Sequence, residues 1–127
     1  MTPAAPDPAK KQAAQAALAQ LRANFLANLP ETWQELRLAV AASSGAVDDL
    51  DWRRLALQHA HRLRGTAGAL ELYELTETAA GVEDTLELIY AASQERRPAL
   101  WAELERLLDE GSSAIAADRF GRPPGAS

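Results

Sequence analysis

The sequence contains no cysteine, a single methionine and only two histidines in 127 residues. Without cysteine there is no disulfide framework, no thiolate nucleophile and no Cys-based zinc or iron–sulfur site. The absence also fits a reducing compartment. Long apolar runs are missing too, and nothing reaches the roughly eighteen consecutive apolar residues of a membrane span. The opening MTPAAPDPAKK has no apolar run before its lysines, so no secretory signal is expected. Positive charge is in deficit, with 13 Lys and Arg against 18 Asp and Glu and a net charge of −5. Nucleic acid, which calls for a clustered basic surface, is therefore not an expected partner. Two histidines and a 6% share of aromatics leave a hydrolytic enzyme thinly equipped.

What is present reads as helix. Ala and Leu dominate, and both are strong helix formers, whereas the β-branched residues that strands prefer are scattered. At 47% hydrophobic the chain is too apolar for disorder, and its length suits one domain. Pro and Gly sit mainly at the ends and at the internal breaks, dividing the chain into four segments.

The first runs from about Pro8 to Ala42, with Leu18, Leu21, Phe25, Leu29, Trp33, Leu36 and Val40 in steps of three and four. The stripe keeps its phase through Pro30. That favours one long helix kinked near Pro30 over a break that puts Pro30 in the first turn of a second helix. Ser43-Ser44-Gly45 ends it. Asp49 or Asp51 caps the second segment, whose stripe is Trp52, Ala56, His59, Leu63, Ala67 and Leu70. A short turn around Glu71 to Tyr73 leads to a third stripe of Leu72, Leu75, Ala79, Val82, Leu86 and Ile89. Gln94 to Arg97 breaks the pattern and Pro98 opens a fourth helix, striped by Trp101, Leu104, Leu108, Gly111 and Ile115. The expectation is all-α: an antiparallel up-down-up-down four-helix bundle over residues 8–118. Residues 1–7 and 119–127 are expected to be flexible tails. All three Trp are assigned to core packing, and nothing in the pattern accounts for Gly81.

The second segment is the most specific, reading Leu55-Ala56-Leu57-Gln58-His59-Ala60-His61-Arg62-Leu63-Arg64-Gly65-Thr66-Ala67-Gly68. At 100° per residue, His61 points about 160° away from Leu63, hence towards water. Arg54, Leu57, Gln58, Arg64, Gly65 and Gly68 share that face. Each interior helical Gly costs about 1 kcal/mol relative to Ala, so two on one face suggest that something approaches closely. The competing reading makes Gly65 a C-terminal cap, although Ala67 and Leu70 carry the stripe onward for another turn. His59, on the apolar side, diverges from His61 by about 200°, so a shared metal site is not expected. Core or rim packing suits His59 better. Glu83 reads as a partner for a neighbouring helix rather than as a site residue.

Ala60-His61-Arg62-Leu63-Arg64-Gly65-Thr66-Ala67-Gly68-Ala69-Leu70 resembles the signature of histidine-containing phosphotransfer (HPt) domains: His, an apolar residue, a basic residue, Gly, then small residues. The likeness extends to Arg22–Leu36, with Phe25 and Pro30, and to Val82-Glu83, spanning roughly residues 10 to 115. Two positions depart from the pattern. The usual Lys is Arg64, and a Gly ten residues after the His is Glu71.

The resemblance implies a phosphoryl carrier rather than an enzyme. His61 would be the phosphoacceptor, reacting through Nε2, with Arg64 as charge partner for the phosphoryl oxygens and Gln58 as a hydrogen-bond partner. Leu57, Gly65 and Gly68 would form the docking surface. The implied partners are response-regulator receiver domains or a histidine kinase. No cofactor or metal is expected on this chain, Mg²⁺ belonging to the receiver. A free-standing, monomeric, cytoplasmic and bacterial protein is expected. The alternative is a non-phosphorylated helical scaffold that docks signalling partners; a kinase would need a nucleotide-binding domain and a Gly-rich phosphate loop that the sequence lacks.

Overall fold

The computed structural model describes residues 7–121. Four helices follow in order: α1 Pro8–Gly45, α2 Leu50–Ala69, α3 Tyr73–Ala91 and α4 Arg97–Ala116. They form the expected antiparallel four-helix bundle, in which each helix packs on its sequence neighbours and α1 closes the ring against α4. Short connections leave consecutive helices no option but to run back beside one another. Among the described residues no helix is long and apolar enough to cross a membrane.

Helix α1 is one continuous element of 38 residues, kinked at Pro30 and capped by Asp7, whose side chain accepts from the Ala9 N–H. Asp49, not Asp51, caps α2, accepting from the backbone of Asp51 and Trp52. The four stripes converge on a core built around Leu29, Trp33, Leu36, Leu63, Leu75, Val82, Leu86, Ile89, Leu104 and Leu108.

Some stripe members depart from expectation. Leu21 is 56% exposed and Trp52 40%, although both fall on their helices' apolar stripes. Trp33 is buried, so core packing holds fully for one of the three tryptophans. At the other end, Phe120 is buried and Arg119 donates its backbone N–H to Ala114. The packed chain thus reaches beyond residue 118, where the periodicity ended the bundle. The remaining tail positions, 1–6 and 122–127, lie outside the described residues.

The α2–α3 turn carries an unusual backbone. Glu71 has φ 60°, in the left-handed region, and its N–H meets Gly68 O while the Leu72 N–H meets Ala67 O. This pair of bonds is a Schellman closure with Glu71 at the position that favours glycine. Arg22 supports it from α1, donating Nε to Leu70 O and pairing with the Glu71 carboxylate. Gly81 faces Leu107 at a distance where a Cβ would make ordinary contact, so packing does not demand glycine there.

Candidate functional site

Helix α2 turns its buried face, Ala56, Ala60, Leu63 and Ala67, into the core. That fixes the direction of the opposite face, and the His61 side chain is 78% exposed on it, as the periodicity requires. Arg64 follows one turn later on the same side. Gly65 is exposed, and a Cβ added to it would meet nothing within 4 Å. Gly68 is exposed too, with Thr76 of α3 nearby.

The decisive contact comes from α3. Its core stripe includes Val82, and the next residue is rotated by about 100° towards α2. This places Glu83 against the His61 face of α2 with its side chain only 8% exposed. Glu83 Oε2 lies 2.7 Å from His61 Nδ1, and Glu83 Oε1 accepts from Arg64 NH1 at 2.9 Å. A buried carboxylate with both oxygens engaged is well satisfied. The sequence pointed to Glu83 as a partner for a neighbouring helix, and so it is, but the groups it holds are the two candidate site residues His61 and Arg64. The signal that marked it was the Val82-Glu83 pair within the family likeness.

The geometry assigns roles to the imidazole nitrogens. An ionised carboxylate only accepts, so the proton between Glu83 and His61 belongs to Nδ1. Nε2 is then left with its lone pair. A neutral histidine in this tautomer is a nucleophile already oriented by a neighbour.

An open depression lies beside His61, lined by Leu50, Arg53, Arg54, Leu57, Gln58 and Glu83. Leu57 is half-buried in its wall, and Leu50 is exposed at its rim. Gln58 lines the depression, but its side chain makes no hydrogen bond to His61, whose Nδ1 meets Glu83. Arg64, the expected charge partner for phosphoryl oxygens, is paired with Glu83 here while remaining 45% exposed. Arg53 lies over the Tyr90 ring and donates to Val47 O, so its charge is partly committed to the α1–α2 loop. His59 is half-buried and points away from His61, at the rim of the core. Among the described residues no group of three or more His, Asp or Glu is arranged to hold a metal ion.

Residues 20–114 match the family model described as the Hpt domain. No curated protein and no solved structure matched the chain.

Proposed function

This chain belongs to the Hpt domain family, a family of phosphoryl carriers in phosphorelays, and we propose that its own carrier atom is Nε2 of His61. The observation that carries this reading is the Glu83 contact to Nδ1, which leaves Nε2 as the free, outward nitrogen of an exposed ring.

In the proposed reaction, Nε2 attacks the phosphorus of a receiver's aspartyl phosphate, or of a histidine kinase's phosphohistidine. Glu83 orients the ring, and Arg64 supplies positive charge where phosphoryl oxygens gather. Phosphoryl transfer rests mainly on such positioning and charge stabilisation. Gly65 and Gly68 keep the α2 surface bare, so a partner's phosphorylated loop approaches the helix backbone. Leu57 and Gln58, in the depression next to His61, extend that contact. The protein would act as a monomer in the cytoplasm, with Mg²⁺ held by the receiver.

The test is incubation with phosphorylated receiver domains, followed by mapping of the label. The reading expects a base-stable, acid-labile phosphoryl group on His61 that is absent from His61→Gln. Label on another residue, or undiminished label in His61→Gln, overturns it, and no label on any residue favours the scaffold alternative.

A further inference from the structure

Glu83 offers one carboxylate to two partners, with Oε2 on His61 Nδ1 at 2.7 Å and Oε1 on Arg64 NH1 at 2.9 Å. Its burial, at 8% side-chain exposure, limits the screening of its charge by water. Arg64 stands one helical turn past His61 on the same face and is itself 45% exposed. Its guanidinium has five N–H donors, of which the Glu83 bond uses one. A phosphoryl group on Nε2 would bring close to two further negative charges beside this arrangement. One guanidinium would then stand between two anions.

Resting on the assignment of His61 as the phosphoacceptor, we propose that Arg64 changes partner when His61 is phosphorylated. It passes from the Glu83 carboxylate to the phosphoryl oxygens, and Glu83 competes for it. The competition weakens the hold of Arg64 on the phosphoryl group and keeps that group transferable.

The transfer step balances without solvent. The Nε2 lone pair forms the N–P bond as the P–O bond of an aspartyl phosphate breaks, and that electron pair leaves on the aspartate carboxylate. The Nδ1 proton stays in place beside Glu83, so the phosphorylated ring is positively charged next to a carboxylate. On return transfer a receiver's aspartate oxygen forms the new O–P bond as the N–P bond breaks, its electron pair reverts to Nε2 and the ring is neutral again. Glu83 thus acts as a positioning residue for the ring and as a rival for Arg64.

A double-mutant cycle separates those two actions. The four chains are the wild type, Arg64→Ala, Glu83→Gln and the double variant. Each is equilibrated with phosphoramidate and ammonia at a fixed ratio, and phosphohistidine is read by phosphorus NMR. Arg64→Ala is expected to lower the phosphohistidine equilibrium about threefold with Glu83 present. In the Glu83→Gln background, where Arg64 has no rival anion, the same change is expected to lower it about tenfold or more. Any effect of Glu83 on the ring alone cancels in this comparison. Equal or smaller losses in the Glu83→Gln background overturn the exchange.

The Arg64 side-chain nitrogen resonances supply a second readout, which a purely structural role would not move. They are expected to shift on phosphorylation of the wild-type chain, and unchanged resonances also overturn the proposal. If Glu83→Gln does not fold, this measurement decides alone. Failure of the underlying assignment looks different: no phosphohistidine forms at His61 in the wild type, and the exchange falls with it.

Discussion

The indole of Trp33 lies across Gly111, so close that a Cβ on Gly111 would overlap three atoms of the ring. Trp33 is 2% exposed and its Nε1 donates to Leu108 O and to Ser112 Oγ on the same helix. Helix α1 therefore seats an aromatic side chain on a bare stretch of α4 backbone, and Arg37 adds bonds to Ser112 and Asp109.

Gly111→Ala should consequently unseat Trp33 and loosen the α1–α4 seam. Overpacking of this kind costs about 2–3 kcal/mol, well above the small helix-propensity gain of Ala over Gly. Thermal unfolding followed by circular dichroism is expected to show a melting temperature lowered by roughly 10 °C. An unchanged or higher melting temperature would mean that the indole moves aside without loss.

The turn after α2 gives an opposite expectation for a glycine. Glu71 sits at φ 60°, where a residue with a Cβ is strained by about 1 kcal/mol or more. The exposed Arg22–Glu71 pair offsets this by at most about 1 kcal/mol. The expected order of stability in urea titrations is Glu71→Gly at or above wild type, with Glu71→Ala lowest. Glu71→Ala keeps the strain and loses the Arg22 contact, so it should fall about 1 kcal/mol below Glu71→Gly. If the two variants unfold together, the left-handed turn is not where the energy lies.

The two histidines should separate cleanly. His61→Gln is expected to abolish phosphoryl uptake while leaving the melting temperature within a degree or two, since an exposed side chain carries little packing energy. His59→Gln should keep uptake and cost some stability, because His59 is half-buried at the core rim. Radiolabel uptake and calorimetric melting on the same samples decide it. The opposite pattern would move the acceptor to His59.

Docking and chemistry should also separate. A Cβ at Gly65 meets open space, so Gly65→Gln should leave the free bundle as stable or more so by several tenths of a kcal/mol. It should block a receiver's approach. Arg64→Ala should leave binding of an unphosphorylated receiver largely intact and slow transfer, by removing charge from the phosphoryl site. Titration calorimetry measures the first effect and single-turnover transfer the second. Normal binding and transfer by Gly65→Gln would remove the reason for a bare helix face.

Tyr90 predicts an alkaline limb. Burial pushes its hydroxyl above the ordinary value of 10.0, although the Ser43 hydrogen bond and the charge of Arg53 pull the other way. Because the folded state holds the proton more tightly, this stability is present below about pH 10 and is lost as pH rises through the raised folded value. Tyr90→Phe should flatten that limb in urea melts compared between about pH 8 and about pH 11. At neutral pH it should cost about 1 kcal/mol, because the buried Ser43 hydroxyl loses its partner. A limb as steep in the variant as in the wild type would assign the alkaline loss to other groups.

The helices, their order and the outward direction of His61 were all legible in the amino-acid sequence. Those features depend on local signals: the three-four spacing from Leu29 to Val40, a capping carboxylate at Asp49 or Asp51, and the roughly 160° between His61 and Leu63. Such signals act within a few residues and survive without knowledge of the neighbours. The same signals do not tell which stripe positions a neighbour covers, as Leu21 and Trp52 show by staying exposed. It took the packing of the helices to bring Glu83 to both His61 and Arg64, to rest Trp33 on Gly111, and to prop a left-handed Glu71 with Arg22. Each of these joins residues far apart in the chain, so it depends on the relative rotation and height of two packed helices. Periodicity fixes which way a side chain points from its own helix. It carries no information on what stands opposite, and that is set when the buried faces close and every enclosed polar atom must find a partner.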